Sequence, residues 1–244
     1  MLVIAHRGSS GSAPENTMVA FRMAVEAGVD MIELDVRMTK DCELVVLHDR
    51  SLRRTTNGSG YIWDRMLAEL RSLDAGSWYA PRFKGERILS LREVLDALPP
   101  AVGFNIEVKT DGDPRKRIPL EESCVLAVRG QKVERRVLIS SFDHRFLQRL
   151  HKVDPALPTG ALYLPVRDVG RKPSTIARNA GTSAFICSRS HLRKSFVKDS
   201  HQHDITIASY VVNTLRHLAK VRRFGVDAVI TDFPEKIIRA LRNG

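Results

Sequence analysis

The sequence predicts an α/β fold, a (β/α)8 barrel, and three observations carry that reading. Apolar strand-like runs alternate with helical patterns along most of the 244 residues, the order that yields a parallel sheet with helices outside it. Eight of those runs qualify as core strands, the number that closes a barrel. No GxGxxG turn follows the first run, where Gly8 and Gly11 stand in another arrangement, so an open doubly wound sheet is disfavoured.

The first strand is Leu2 to Ala5, followed by a glycine- and serine-rich loop. A helix comes next, with Met18, Phe21, Met23, Ala24 and Val25 on its apolar side and Gly28 to stop it. Met31 to Arg37 is the second strand. The chain turns near Lys40, Asp41 and Cys42, and the apolar run Leu44 to Leu47 follows too soon for a crossover helix, so it should return antiparallel as a hairpin. From Asp49 to about Ser90 the pattern breaks into a Thr55 to Gly60 polar stretch, a short amphipathic patch (Met66, Leu67, Leu70) and Trp78, Tyr79 and Pro81. This insertion, about residues 49–90, is expected to be a structureless, lid-like segment over one end of the domain. Six strands then alternate with helices: Val102 to Val108, Val137 to Ser141, Gly160 to Leu164, Ala184 to Cys187, Ile205 to Val212 and Ala228 to Thr231. With 43% hydrophobic residues, residues 1–244 can bury one core as a single domain without disulfides.

Net charge is +11, which keeps nucleic acid, an anionic membrane surface and a phosphate-bearing substrate in view. The basic residues are dispersed, at Arg115-Lys116-Arg117, Arg135-Arg136, Arg193-Lys194 and Arg222-Arg223, and aromatics are only 6%. Neither a nucleic-acid arm nor a stacking platform is evident, so no nucleic-acid partner is expected. Weak association with an anionic membrane surface fits the charge. No apolar run approaches the ~20 residues of a membrane span, and the N-terminus enters a strand in place of a signal peptide, so a cytoplasmic location is expected. Cys42, Cys124 and Cys187 lack metal-binding spacing and read as reduced thiols. Oligomeric state is not legible.

In a strand, residues two apart share a face, so Glu33 and Asp35 point into the barrel while Ile32, Leu34 and Val36 face the helices. Asn105-Ile106-Glu107-Val108-Lys109 repeats the arrangement, with Glu107 and Lys109 on one face. Burying two anions side by side costs several kcal/mol unless a cation compensates. Three inward carboxylates, Glu33, Asp35 and Glu107, therefore form an all-oxygen site suited to Mg²⁺ or Ca²⁺. The competing reading is a buried salt-bridge network. His6 ends the first strand and His48 ends the hairpin return, which brings it to about the level of Asp35. One imidazole could withdraw a proton while the other supplies one, as cleavage of a P–O ester near neutral pH requires. Arg7, followed by Gly8, suits a bidentate grip on phosphate, and Lys109 would contact an anion beside the metal. The remaining histidines, His144, His151, His191, His201, His203 and His217, receive no role.

These residues, in this order, resemble the glycerophosphodiester phosphodiesterase family. The matching pieces are His6-Arg7-Gly8, Ala13-Pro14-Glu15-Asn16-Thr17, Glu33-Leu34-Asp35-Val36 with Thr39-Lys40-Asp41, Val46-Leu47-His48-Asp49, Asn105-Ile106-Glu107-Val108-Lys109, Ser140-Ser141-Phe142 and Gly225-Val226-Asp227 leading to Thr231-Asp232-Phe233-Pro234. The resemblance implies a distorted TIM barrel of the phospholipase C-like phosphodiesterase type with an insertion after the His-Asp motif. It implies metal-dependent hydrolysis of a small glycerophosphodiester to glycerol 3-phosphate and an alcohol. Glu33, Asp35 and Glu107 would hold the divalent ion, Mg²⁺ or Ca²⁺; His6 and His48 would be the acid/base pair; Arg7 and Lys109 would contact phosphate. Tyr210 stands where many members carry a tryptophan lining the alcohol side of the pocket, which leaves the head group open. Cys42 replaces a common turn glycine, a change expected to alter only the hairpin tip. A lysophospholipase D-like relative, and a non-catalytic barrel that only binds phosphate or lipid head groups, are the alternatives.

Overall fold

The computed structural model describes residues 1–110 and 120–243, so the basic run Arg115, Lys116 and Arg117 lies outside the described residues. Among the described residues nine strands form one sheet: β1 (Leu2–His6), β2 (Met31–Met38), β3 (Leu44–Val46), β4 (Gly103–Val108), β5 (Val137–Ser141), β6 (Thr159–Leu162), β7 (Ala184–Ser188), β8 (Thr206–Tyr210) and β9 (Ala228–Thr231). All except β3 are parallel, in the order β1-β9-β8-β7-β6-β5-β4-β2, and pairing of β1 with β2 closes the barrel. Strand β3 pairs antiparallel with the outer part of β2, Val36 opposite Val46. The predicted hairpin is therefore present, and its turn places Cys42 at φ +68°, the left-handed conformation that explains a preference for glycine there.

The helices are α1 (Met18–Ala27), α2 (Leu67–Arg71), α3 (Leu91–Ala97), α4 (Leu120–Gly130), α5 (His144–Val153), α6 (Pro165–Asp168), α7 (Pro173–Ala180), α8 (Lys194–His201), α9 (Leu215–Phe224) and α10 (Pro234–Arg242). None is long and apolar enough to cross a membrane among the described residues. Thr17 caps α1 by accepting from the Ala20 N–H, and Gly28 at φ +86° ends it. The main core lies between barrel and helices: Ile32, Leu34 and Val36 of β2 join Phe21, Phe104, Phe146 and Phe185, all fully buried. Each such ring contributes about 1.5–3 kcal/mol of burial. A smaller apolar cluster, including Ile4, Leu162, Ile186 and Ile230, fills the barrel interior. The alternation in β2 therefore sorts its residues as expected, with Glu33 and Asp35 on the inner side.

The insertion departs from expectation. It is built, not structureless: single 3₁₀ turns at Ile62–Asp64 and Pro81–Phe83 flank α2. Leu52, Ile62, Leu70, Ala75 and Ile88 bury themselves with Val45 and Leu47 in a separate core. The segment extends the outer face of the hairpin, where β3 would otherwise be a bare edge. It also reaches the loop after β1, where the Tyr79 hydroxyl donates to the Gly11 carbonyl at 2.8 Å. Strand ends differ by one or two residues from those expected, as is usual where ladders fray.

Candidate active site

Strand register assembles the site. His6 of β1 lies beside Glu33 of β2, and Asp35 lies opposite Glu107 of β4. These positions are at the C-terminal ends of the early strands, the mouth where barrel enzymes gather their chemistry. A cavity of about 190 Å³ opens there, lined by His6, Arg7, Glu33, His48, Glu107, Lys109 and Tyr210 together with Asn105 and Phe142. Asp35, fully buried, sits beneath Arg7 and Lys109. All eight predicted site residues are therefore brought to one place.

Backbone geometry at the first loop makes this possible. Arg7 and Gly8 adopt φ +57° and +80°, turning the chain so that the Arg7 N–H donates to Glu33 Oε2 at 2.9 Å. A Cβ on Gly8 would stand 2.6 Å from the Ala20 carbonyl carbon, so only glycine lets this loop lie against α1. On the other side, the antiparallel return carries His48 to the cavity, with the Leu47 N–H donating to the Asp35 carbonyl.

Glu33, Asp35 and Glu107 each offer a carboxylate oxygen, and these atoms lie within 4.8 Å of one another. Glu33 Oε1 is buried without a hydrogen-bond partner, as is Asn105 Oδ1. An unpaired buried acceptor is costly, and an all-oxygen set at this spacing fits a hard divalent cation. The same carboxylates also carry the competing salt-bridge network. Arg7 Nε lies 3.1 Å from Asp35 Oδ2, Lys109 Nζ lies 2.9 Å from Asp35 Oδ1, and Lys109 also pairs with Glu107. The two cations thus sit on the carboxylates themselves.

Burial, with Asp35 and Glu107 alongside, pushes Glu33 up to about 8. Burial and the neighbouring Asp35 also raise Glu107. Burial opposes the charge of Asp35 as well, but Lys109 and Arg7 outweigh it and hold Asp35 well below the usual carboxylate range. Three carboxylates thus share too little positive charge, the imbalance a bound cation would remove.

The two imidazoles are held alike. His6 Nδ1 donates to Asp232 Oδ1 at 2.6 Å, and His48 Nδ1 donates to Asp49 Oδ1 at 2.6 Å, because an ionised carboxylate can only accept. Among the described residues no hydrogen bond reaches Nε2 of either ring, and that of His6 lies 4.0 Å from Glu33 Oε2. Burial lowers His48 below its ordinary value, whereas for His6 Glu33 and Asp232 overcome burial and raise it.

Sequence reasoning missed the residues behind these. Asp232, at the end of β9, is itself held by Asn213 Nδ2 at 2.5 Å and by the Ser10 hydroxyl. Asp49 accepts from Arg54, Arg54 forks onto Glu15, and Glu15 accepts from Arg7. Asn16, at φ +59°, donates to Asp35 Oδ2 at 3.0 Å. Asp232 and Asp49 stand at predicted strand ends, a signal that could have found them. The Arg54 to Glu15 link joins residues 39 apart and has no such signal.

The closed barrel is shared with known proteins. Residues 6–236 match the Glycerophosphoryl diester phosphodiesterase family. A glycerophosphodiester phosphodiesterase of Caldanaerobacter subterraneus is 37% identical over 100% of this chain and 98% of its own length. Among solved structures, an Oleispira antarctica phosphodiesterase in complex with the product sn-glycerol-3-phosphate superposes with TM-score 0.88 at 29% identity, covering 99% of this chain and 97% of the other. The Agrobacterium tumefaciens glycerophosphodiester phosphodiesterase superposes with TM-score 0.86 at 28% identity, covering 98% and 99%. Fold and site together define a phosphoric diester hydrolase built on a (β/α)8 barrel. The chain belongs to the glycerophosphoryl diester phosphodiesterase family.

Proposed function

We propose that this protein hydrolyses glycerophosphodiesters to glycerol 3-phosphate and an alcohol, with a divalent cation, Mg²⁺ or Ca²⁺, held by Glu33, Asp35 and Glu107. The observation that carries the reading is the meeting, in one cavity, of a clustered carboxylate trio with two imidazoles whose Nδ1 atoms are each tied to a carboxylate. The product bound by the Oleispira relative supports the choice of substrate class.

The cation, when bound, supplies positive charge to the phosphoryl oxygens. Arg7 and Lys109 border the same cavity and neutralise the phosphodiester, stabilising charge that grows on its oxygens. Glu15 and Asp35 fix the Arg7 guanidinium in direction, so little ordering is needed when phosphate arrives. One of His6 and His48 takes the proton from the nucleophile, a water or the glycerol 2-hydroxyl, and the other protonates the departing alcohol. Asp232 and Asp49 keep Nδ1 protonated in both rings, so Nε2 is the nitrogen that exchanges protons. Tyr210 also lines the cavity and would meet the departing alcohol.

The test is a turnover assay on glycerophosphocholine and glycerophosphoethanolamine with glycerol 3-phosphate as the measured product. Release of glycerol 3-phosphate from either is expected. Tight binding of these diesters without any turnover would instead establish a barrel that only recognises its ligand.

A further inference from the structure

Beside the catalytic cavity lies a second one of about 390 Å³, lined by Ser188, Arg189, Ser190, Tyr210, Val211, Asn213, His217 and Asp232. Tyr210 borders both, so the two spaces adjoin. Cations gather around the second. Arg189 lines it beside His217, an imidazole that burial and the nearby charges of Arg189, Arg216 and Lys220 hold below its ordinary value and so uncharged near neutral pH.

Several arginines elsewhere in the molecule are matched by carboxylates, as in Arg54 with Glu15 and Asp49, Arg129 with Asp154, and Arg149 with Glu121, whereas others, such as Arg136, bond to backbone carbonyls. Among the described residues no ion pair with a carboxylate joins Arg189, Arg216 or Lys220, and Lys220 Nζ lies 5.8 Å from the Phe224 ring centre. Asp232 is the one carboxylate on the cavity wall, and both its oxygens are committed, to His6, Ser10 and Asn213. Hydroxyls complete the lining: Ser188 and Ser190 lie 2.7 and 3.3 Å from His191 Nδ1, which orients them.

We infer that this second cavity is the subsite for the alcohol half of the diester, and that it selects an alcohol carrying its own anionic group, such as a phosphorylated polyol. The inference rests on the proposed diesterase reading and deepens it. Unmatched guanidinium and ammonium groups attract a phosphate and repel a quaternary ammonium. Serine hydroxyls suit polyol oxygens. The cavity wall offers a single aromatic ring, Tyr210, where a choline head group would be held by an aromatic cage.

The experiment compares three substrates on the intact protein: glycerophosphocholine, glycerophosphoglycerol and glycerophosphoglycerol bearing a terminal phosphate. The phosphorylated diester is expected to have a kcat/KM about tenfold above the neutral one, as charge-assisted contacts with several exposed cations together allow. The ratio of the two should fall about threefold in Arg189→Gln and further in Arg189→Gln with Lys220→Gln. A parallel calorimetric titration with glycerol 1,3-bisphosphate and glycerol 3-phosphate reads the same preference without turnover. Equal kcat/KM for charged and neutral diesters, or a ratio unmoved by Arg189→Gln, would overturn the subsite. If no diester is turned over while the bisphosphate still binds about tenfold more tightly, the subsite stands and the diesterase reading fails.

Discussion

Replacing Asp232 by Asn isolates the contribution of one hydrogen bond to catalysis. The Oδ1 to His6 Nδ1 distance is 2.6 Å, and the two side chains are 27% and 18% exposed, so water competes only in part. A hydrogen bond to a charged group at such a site is worth about 1.5–3 kcal/mol. At about 1.4 kcal/mol per factor of ten, kcat should fall roughly 10- to 150-fold. Asn keeps the shape and can still face Asn213, so the fold should survive. The assay is glycerol 3-phosphate release measured in the wild type, Asp232→Asn, His6→Ala and the double variant, with thermal unfolding as the control. In the His6→Ala background the same substitution should cost less than about threefold, since its only route to the chemistry is gone. An unchanged kcat in Asp232→Asn, or an equal loss in both backgrounds, would refute the idea that Asp232 acts by holding His6.

Three further outcomes are expected. His6→Ala and His48→Ala should each lower kcat by at least ~100-fold, the usual scale of an acid or base; near-normal turnover in either variant would remove that residue from the scheme. Leu70→Ala should destabilise the insertion by about 2–5 kcal/mol, because the side chain is fully buried in the separate core; denaturant unfolding reads this, and a change under ~0.5 kcal/mol would mean that this core contributes little. In chelator the thermal midpoint should fall as pH rises from about 7 to 8. Glu33 is raised from near 4.5 to about 8 on folding, so the folded state keeps a proton there that the unfolded one has lost, and stability is lost as it leaves; at lower pH His48, which burial lowers, works in the opposite direction to His6, which is raised. A midpoint that climbs over this range would show the opposite linkage.

Much of this architecture is legible in the amino-acid sequence. The alternating apolar runs place the eight barrel strands to within a residue or two, because each strand buried against helices needs β-branched and aliphatic residues over its whole width. Glu33, Asp35 and Glu107 stand out because charges interrupting such strands two apart must share a face. Asp232 as the partner of His6 does not, since it depends on β9 closing against β1 across 226 residues. Neither does the separate core of the insertion, whose helical pieces span only three to five residues and so carry no periodicity. Arg7 and Lys109 are expected from sequence to face phosphate. Their pairing with Asp35 follows from a register that composition does not reveal.

In the proposed mechanism a divalent cation would be held by Glu33 and Asp35 of β2 and Glu107 of β4. Calorimetric titration of metal-stripped protein with Mg²⁺ or Ca²⁺, run beside turnover on the same samples, measures this directly. The expected result is one ion per chain, activity that rises in proportion to occupancy, and loss of both in Glu33→Gln with Glu107→Gln. Full turnover in the stripped protein, or undiminished ion binding in the double variant, would contradict it.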